Sequence, residues 1–538
     1  MLSVMLSCHT HRRSADLIVH HATIYTVDDD FHITQAMAIK SGKILAVGTD
    51  AQILRDYSAP EEVDLQGKYV YPGFIDAHAH FYAYALSLLS VDLTGARSWE
   101  DVLKRVQAFA ATHPEGWIVG RGWDQNQWPG RQFPDRAALD RLFPDRPVLL
   151  TRVDGHAAIA NGEALRRAGV KPGQTLQGGL FVTQHGRLTG VLIDRAVEEV
   201  ARLIPSLDDS TRRKALQEAE QRCFAVGLTT VADCGLPKST IDFLDSLQRR
   251  GELQMRIYAM AADDPENYAY YLKHGPYQTD RMHVCAFKLY ADGALGSRGA
   301  CLLQPYSDQP GWYGFLLKDR AYFDSIAHLL VNSPFQMCTH AIGDSANRVM
   351  LQIYASVLKP GNDRRWRIEH AQVVHPDDIG LFGKYAIVPS VQPTHATSDM
   401  YWAGERLGKQ RLRYAYAFQD LLRQNGWIPL GTDFPVEDID PRKTFYAAVF
   451  RQDSTGYPAG GFQSENALTR EQALRGMTIW AARAQFEEKE KGSLEPGKWA
   501  DFVVMEKDLM QIPALDILHN NILATYLAGK RVYPPGSE

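Results

Sequence analysis

Residues 71–80 read Tyr-Pro-Gly-Phe-Ile-Asp-Ala-His-Ala-His, an apolar run that ends in two histidines separated by one residue. Because side chains alternate between the two faces of a strand, we expect His78 and His80 to point the same way. Two imidazoles side by side at the C-terminal end of a strand can hold one metal ion. An isolated pair with this spacing is more often an ordinary strand end, so the interpretation depends on ligands from the rest of the chain.

Helical patterns alternate with short apolar runs from about residue 73 to residue 491, which is typical of βα units and a parallel sheet. The helices are predicted at Trp99–Thr112, Ser210–Val226, Thr240–Arg250, Arg320–Val331, Ser345–Val357 and Arg470–Ala484. Besides the strand that ends at His78, we predict strands at Thr229–Asp233, Met255–Met260, Val284–Tyr290, Gln336–His340, Arg367–His370, Ala386–Val391 and Ile428–Asp433. Eight parallel strands predict an α/β fold, a (β/α)8 TIM-type barrel over residues 73–492.

Short strand patterns separated by turn signals occur at both ends of the chain. They predict a small β-sandwich domain built from residues 15–72 together with residues 493–538, with the barrel inserted between them. Residues 1–14 are expected to form a flexible tail. The segment of about 117–194 interrupts the βα rhythm, and we interpret it as an insertion after the first barrel strand that covers the barrel mouth.

Composition excludes several classes of function. The chain of 538 residues has 58 basic and 63 acidic residues and a net charge of −5, without the basic cluster that nucleic-acid binding needs. No apolar run approaches the roughly 18 residues of a membrane span. The six cysteines are scattered without a Cys-x-x-Cys pair, so neither a thiolate zinc site nor a disulfide framework is indicated.

The N-terminus leaves two locations open. Leu6-Ser7-Cys8 resembles the cleavage site of a bacterial lipoprotein, so Cys8 is a candidate for lipid anchoring. The cytoplasmic location is slightly favoured, because no basic segment precedes the apolar run and that run is short. His9 and His11 repeat the His-x-His spacing without a strand pattern, and we therefore do not interpret them as ligands.

Four more predicted strands carry a charged or metal-competent side chain near the C-terminal end. Lys288 interrupts an apolar strand, where a lysine is rarely buried without a partner. His340, His370 and Asp433 end three later strands. Each alone has a structural explanation, such as a core histidine, a salt bridge or a helix N-cap. Together they predict a metal centre, because five strand ends present such groups at the face where barrel enzymes do chemistry.

The ordered motifs resemble those of a known family. They are residues 72–80, Gly122-Trp123-Asp124, Asp154-Gly155-His156, residues 288–298, residues 340–344, residues 367–370 and Gly431-Thr432-Asp433. This set resembles the amidohydrolase superfamily of metal-dependent hydrolases, and within it the amidohydrolase 3 (YtcJ-like) family, which includes enzymes similar to N-substituted formamide deformylase. The resemblance extends over about residues 16–533.

The resemblance implies a centre of one or two divalent ions, with zinc expected, held by His78, His80, Lys288, His340, His370 and Asp433. His78 and His80 would bind the more buried ion, and His340 and His370 the more exposed one. Lys288 would be carboxylated and bridge the two ions, since a free ammonium has no lone pair. The alternative is an unmodified lysine and one ion, held by His78, His80 and Asp433 with one further histidine.

The expected function is hydrolysis of a non-peptide C–N bond, in an amide or cyclic amide of a small molecule, by metal-activated hydroxide with Asp433 as acid/base. Two alternatives remain: an esterase or lactonase that uses the same site, and a catalytically inactive barrel that binds a ligand. The candidates for substrate contacts are Trp123, Asp124, His156, Asp292 and Arg298. We expect Glu369 to support the site rather than to bind metal. The substrate stays open, as does assembly into a homo-oligomer.

Overall fold

Seven parallel strands form the barrel in the computed structural model, which describes residues 12–535. In spatial order they are Phe74–Ala79, Leu228–Leu236, Arg256–Ala262, Met282–Tyr290, Gln336–Ala341, Arg367–His370 and Val388–Ser390. Each pairs in parallel with its neighbour. The predicted α/β barrel is confirmed, and the strand that carries His78 is its first strand.

The eighth position of the barrel is occupied by residues 428–433, which are extended but do not form a regular strand. The amide of Ala77 donates to the carbonyl of Leu430 at 3.1 Å, and the amide of Gly431 donates to the carbonyl of Val391 at 3.0 Å. Pro429 has no N–H to donate, and Asp433 has a positive φ of 62°. The predicted strand Ile428–Asp433 is therefore wrong as a regular strand, although this segment contacts both neighbours of the gap.

The predicted helix Arg470–Ala484 is two helices, Arg470–Gly476 and Ile479–Ala484. The break leaves two backbone carbonyls free to accept hydrogen bonds from amides of the barrel. The amide of Leu430 donates to the carbonyl of Gly476 at 3.0 Å, and the amide of Ile75 donates to that of Met477 at 2.8 Å. A continuous helix would have used these carbonyls internally, so the break connects the eighth position to the first strand.

Helices cover the outside of the barrel, and the sequence places capping residues at their N-termini. Asp208, Asp264 and Asp319 each accept a hydrogen bond from an amide of the first helical turn. The surrounding helices are Asp209–Ala225, Lys238–Arg249, Pro265–His274, Arg320–Val331, Asp344–Val357, Gly380–Lys384 and Phe418–Asn425. Four further helices follow barrel strands or their connections: Phe81–Ser87, Pro393–Asp399, Ala403–Leu412 and Pro441–Phe450.

Two sheets form a β-sandwich from both ends of the chain. The six-stranded sheet contains Lys530–Tyr533, Ile522–Leu527, Phe502–Met505, Tyr69–Pro72, Thr23–Tyr25 and Ile33–Thr34, and the four-stranded sheet contains Lys43–Gly48, Ala36–Lys40, Leu17–His20 and Glu61–Asp64. Leu17 and Ile39 from one sheet share a buried cluster with Val70 and Phe502 from the other. Arg13–Ser14, at the end of the predicted tail, pairs with Tyr57–Ser58. Cys8, His9 and His11 lie outside the described residues.

A further six-stranded sheet contains Val91–Asp92, Ile118–Trp123, Val148–Arg152, Ala157–Ala160, Arg187–Asp194 and Gly179–Gln184. The helix Trp99–Thr112 packs Val102 and Val106 against it. This sheet begins at Val91, N-terminal to the predicted limit of 117, because its first strand is only two residues long and carries no sequence signal. Within residues 12–535, no helix is long and apolar enough to cross a membrane.

Candidate metal centre

Three buried side chains from the barrel converge at the C-terminal ends of its strands. His78, His370 and Asp433 each offer one ligand atom, and these atoms lie within 4.8 Å of one another. His78 Nε2, His370 Nδ1 and Asp433 Oδ1 are buried without a hydrogen-bond partner among the described residues. Buried polar atoms are rarely left unsatisfied, and two imidazole nitrogens with a carboxylate oxygen suit a divalent ion such as zinc. The residues present therefore fit a metal ion.

The orientation of His78 is determined by the residue that precedes His370. His78 Nδ1 lies 2.5 Å from Glu369 Oε2, and Glu369 Oε1 lies 2.6 Å from Arg367 Nε. Burial alone would raise the pKa of Glu369, but the Arg367 guanidinium holds it below its usual range. Burial lowers the pKa of His78 to about 4, so the ring is neutral at pH 7. Nδ1 therefore carries the proton, and Nε2 presents a lone pair toward the other ligand atoms.

His80 is held in a similar way. Its Nδ1 lies 3.1 Å from the carbonyl oxygen of Cys234, which can only accept a hydrogen bond. Its Nε2 lies 3.2 Å from Asp433 Oδ1, the oxygen that lies 3.5 Å from His78 Nε2. His78 and His80 thus point toward the same side, as alternation along the strand predicts. His80 is adjacent to the group of three and is available as a fourth ligand.

Two other predicted ligands, Lys288 and His340, are buried beside this group. Lys288 Nζ is buried without a hydrogen-bond partner among residues 12–535 and lies 4.3 Å from the ring centre of Tyr290. His340 Nε2 lies 3.4 Å from the carbonyl oxygen of Gly293, although its ring centre is only 4.5 Å from that of His370. The His370 ring thus lies close to both His78, at 4.8 Å between ring centres, and His340.

Two residues of the group have an unfavourable backbone conformation. His370 has a φ of 72° and Asp433 a φ of 62°, in the left-handed region that residues with side chains avoid. Such a conformation costs roughly 1–2 kcal/mol per residue. Unfavourable backbone conformations of this kind concentrate at functional sites, where the surrounding structure maintains them. His370 lies where the chain leaves a barrel strand, and Asp433 lies at the end of the segment in the eighth position, so both left-handed residues are at the C-terminal end of the barrel.

His395 was not predicted as a site residue, yet it contacts Asp433 directly. His395 Nε2 lies 3.3 Å from Asp433 Oδ2, and its Nδ1 lies 2.9 Å from Glu437 Oε1. Burial alone would lower the pKa of His395, but these two carboxylates raise it well above its ordinary value. One sequence signal was available, because His395 follows the predicted strand Ala386–Val391 by four residues.

A cavity of about 880 Å³ is lined by His370 and Asp433, two of the three residues whose ligand atoms converge. Its wall combines barrel residues such as Asp433 with residues next to strands of the six-stranded sheet that begins at Val91 (the additional sheet), including Asp124 and His156. Asp124 forms an ion pair with Arg152, which is almost fully buried. His156 Nδ1 lies 2.6 Å from Asp194 Oδ1. Burial alone would lower the pKa of His156, but Asp194 raises it. Asp124 and His156 thus occupy positions from which they can reach a substrate.

The other three candidates for substrate contacts do not line this cavity. Trp123 is fully buried and donates from Nε1 to the carbonyl of Leu150 at 2.8 Å. Asp292 is buried and accepts hydrogen bonds from the amides of Ile342, Gly343 and Cys301. Arg298 Nη2 lies 2.9 Å from Asp308 Oδ2. All three satisfy structural roles, which their residue types alone could not distinguish from substrate binding.

Comparisons with known proteins identify the family to which the chain is similar. The sequence profile described as "Amidohydrolase family" matches residues 61–533. Protein LONG AFTER FAR-RED 3 of Arabidopsis thaliana is 35% identical, over 97% of this chain and 92% of that protein. Putative amidohydrolase YtcJ of Bacillus subtilis (strain 168) is 29% identical, over 96% and 99%. N-substituted formamide deformylase of Arthrobacter pascens is 25% identical, over 96% and 97%.

A solved structure extends this similarity to three dimensions. The crystal structure of an uncharacterized metal-dependent hydrolase from Pyrococcus horikoshii OT3 has a TM-score of 0.76 and 29% sequence identity, over 93% of this chain and 99% of that chain. The resemblance drawn from the sequence motifs is confirmed.

Proposed function

Because the chain belongs to the amidohydrolase family, we propose that it hydrolyses a non-peptide C–N bond in an amide or cyclic amide of a small molecule. The observation that carries this proposal is the group of three unpartnered ligand atoms of His78, His370 and Asp433, two of which line the cavity. The cavity volume of about 880 Å³ is in the range that accommodates small organic molecules.

We propose that one divalent ion is held by His78, His80, His370 and Asp433. Three nitrogen donors and one carboxylate oxygen suit zinc. A second ion would require a carboxylated Lys288 and the release of His340 from the carbonyl of Gly293. When bound, the ion supplies Lewis acidity, which polarises a carbonyl group and lowers the pKa of water.

Asp433 would transfer the proton. It would accept the proton of the water molecule that attacks the amide carbonyl, and would donate that proton to the leaving nitrogen. His395 would keep Asp433 in the orientation required, through the 3.3 Å contact of its Nε2 with Oδ2. His156 Nε2 has no hydrogen-bond partner among the described residues, and we propose that it donates to the substrate.

The test is metal analysis coupled to hydrolysis of matched amides and esters. We expect protein produced with zinc to contain about one ion per chain and to release an amine from N-formyl or N-acyl amines. Hydrolysis of esters or lactones alone would assign the site to that alternative reaction. Zinc-loaded protein without hydrolytic activity on any of these compounds would contradict the proposal.

Two variants connect activity to the proposed ligands. His78→Ala should lose both the metal ion and hydrolysis, because the proposed centre then lacks a ligand. Asp433→Asn should abolish hydrolysis, because an amide cannot accept and return the proton. The matched control is Asp377→Asn, which changes the same functional group at an exposed position outside the cavity wall. Circular dichroism must show the same fold in all three variants, and full activity of either site variant would contradict the assignment.

A further inference from the structure

Arg121 extends from the additional sheet into the wall of the cavity and lacks a carboxylate partner. Its Nη2 donates to the carbonyl of Val153 at 3.1 Å, and its Nε is buried without a hydrogen-bond partner among residues 12–535. No hydrogen bond from Nη1 to a described residue is present. The guanidinium therefore has donors available for a ligand.

Gly155 leaves the space that Arg121 occupies. A Cβ atom at Gly155 would lie 3.3 Å from Arg121 Nη2 and 3.4 Å from Nη1, and the φ of Gly155 is +75°. A side chain at this position would crowd the guanidinium and would also strain the backbone. The loop and the hydrogen bond to Val153 thus hold the guanidinium in one place.

The remaining cations of the cavity wall are already neutralised. Three other arginine or lysine side chains line the cavity, and each has a carboxylate partner: Arg152 with Asp124, Arg222 with Glu218 and Lys443 with Asp438. In the described part of the chain, no carboxylate oxygen lies within 4.0 Å of the Arg121 guanidinium. Burial lowers the pKa of Arg121, and the carboxylates of Asp433 and Asp154, more than 4.0 Å away, offset only part of that shift. An anion in the cavity would offset the remainder, and a guanidinium binds a carboxylate through two parallel hydrogen bonds.

We propose that Arg121 binds a carboxylate of the substrate, so that the preferred substrates are N-formyl or N-acyl amino acids or similar anionic amides. The inference rests on the proposed function and names its class of substrate. The carboxylate would lie on the part of the molecule that does not react. Arg121 would then determine specificity without taking part in the transfer of the proton.

The test uses pairs of compounds that differ only in the carboxylate, such as N-formylphenylalanine and N-formylphenethylamine. We expect the zinc-loaded enzyme to have a higher kcat/KM for the acid. Arg121→Met should lower kcat/KM for the acid by about 10- to 100-fold, which is the range for loss of charge-assisted hydrogen bonds. The same variant should leave kcat/KM for the neutral amide unchanged. Arg121→Lys keeps the charge and should lie between the two. Equal zinc content in the three proteins shows that the centre is intact.

Calorimetric binding of the same two compounds to the zinc-loaded proteins separates this inference from the proposed function. If neither compound is hydrolysed but the wild-type protein binds the acid more tightly and Arg121→Met does not, the proposed reaction fails and the anion site stands. If both compounds are hydrolysed and Arg121→Met leaves their ratio unchanged, the reaction stands and the anion site is overturned. Absence of any preference for the acid, in rate and in binding, also overturns it.

Discussion

Glu369→Gln removes the negative charge between His78 and Arg367, and we expect it to lower both stability and metal affinity. Arg367 and Glu369 are fully buried, and their side chains are 2.6 Å apart. Loss of one partner from a buried ion pair leaves the other charge uncompensated, which costs about 3–5 kcal/mol. Loss of a carboxylate that orients a ligating histidine weakens metal binding by about 10- to 100-fold.

Two measurements separate these effects. Denaturant unfolding of the metal-free protein reports the ion pair, and competition with a chelator reports the affinity for zinc. The matched control is the double variant Arg367→Met/Glu369→Gln, which removes both charges. It should recover much of the stability, because no buried charge remains unpaired. It should not recover zinc affinity, because His78 still lacks its carboxylate. Unchanged unfolding and unchanged zinc affinity in Glu369→Gln would refute the reasoning.

Three other changes test separate parts of the structure. His395→Asn should flatten the pH dependence of stability in the metal-free protein. The folded pKa of His395 is raised, so its contribution is present below about pH 6.5 and is lost as the pH rises through the folded pKa. Gly431→Ala should reduce zinc content measured by mass spectrometry, because the new Cβ would lie 2.6 Å from the amide nitrogen of His78. Asp501→Asn should destabilise the protein by about 3–5 kcal/mol in thermal unfolding, because it leaves the buried Arg256 without a carboxylate partner. In the wild-type protein Asp501 Oδ2 lies 2.7 Å from Arg256 Nε.

Each of these changes has a result that would count against it. An unaltered pH profile of stability in His395→Asn would mean that its contacts with the carboxylates do not depend on protonation. Gly404→Ala is the control for the glycine substitution, because its nearest heavy atom would be 3.5 Å away. Equal zinc content in both alanine variants would contradict the packing argument. A thermal midpoint unchanged by Asp501→Asn would show that the ion pair is not a net source of stability.

The barrel was predictable because buried parallel strands are continuous apolar runs bounded by turns. The failure at residues 428–433 has a local cause, since Pro429 cannot complete a hydrogen-bond ladder that its apolar neighbours suggest. The break after Gly476 could not be predicted, because it depends on amides from two other segments that need acceptors. Such tertiary hydrogen bonds leave no periodic pattern in the sequence.

The residues of the candidate site were easier to predict from the sequence than the distances between them. Alternation along a strand gives the common orientation of His78 and His80, and order along the chain gives Asp433. The close approach of the His370 ring to both His78 and His340 occurs at a residue with a positive φ, which no pattern around residue 370 indicates. Arg121 lies outside the predicted strands and His395 lies four residues beyond the end of one, so the strand ends alone predicted neither residue.

The pairing of Pro72 with Phe502 joins segments from the two ends of the chain. Pro72 lies two residues before the strand Phe74–Ala79, which carries His78, and its partner lies about 430 residues later in the chain. The strand Tyr69–Pro72 therefore completes its pairing only after residue 502 has been synthesised. Late formation of such distant contacts is slow, since closing a long loop has an entropic cost. The start of the barrel strand that carries His78 is thus anchored to the β-sandwich only when nearly the whole chain has been made.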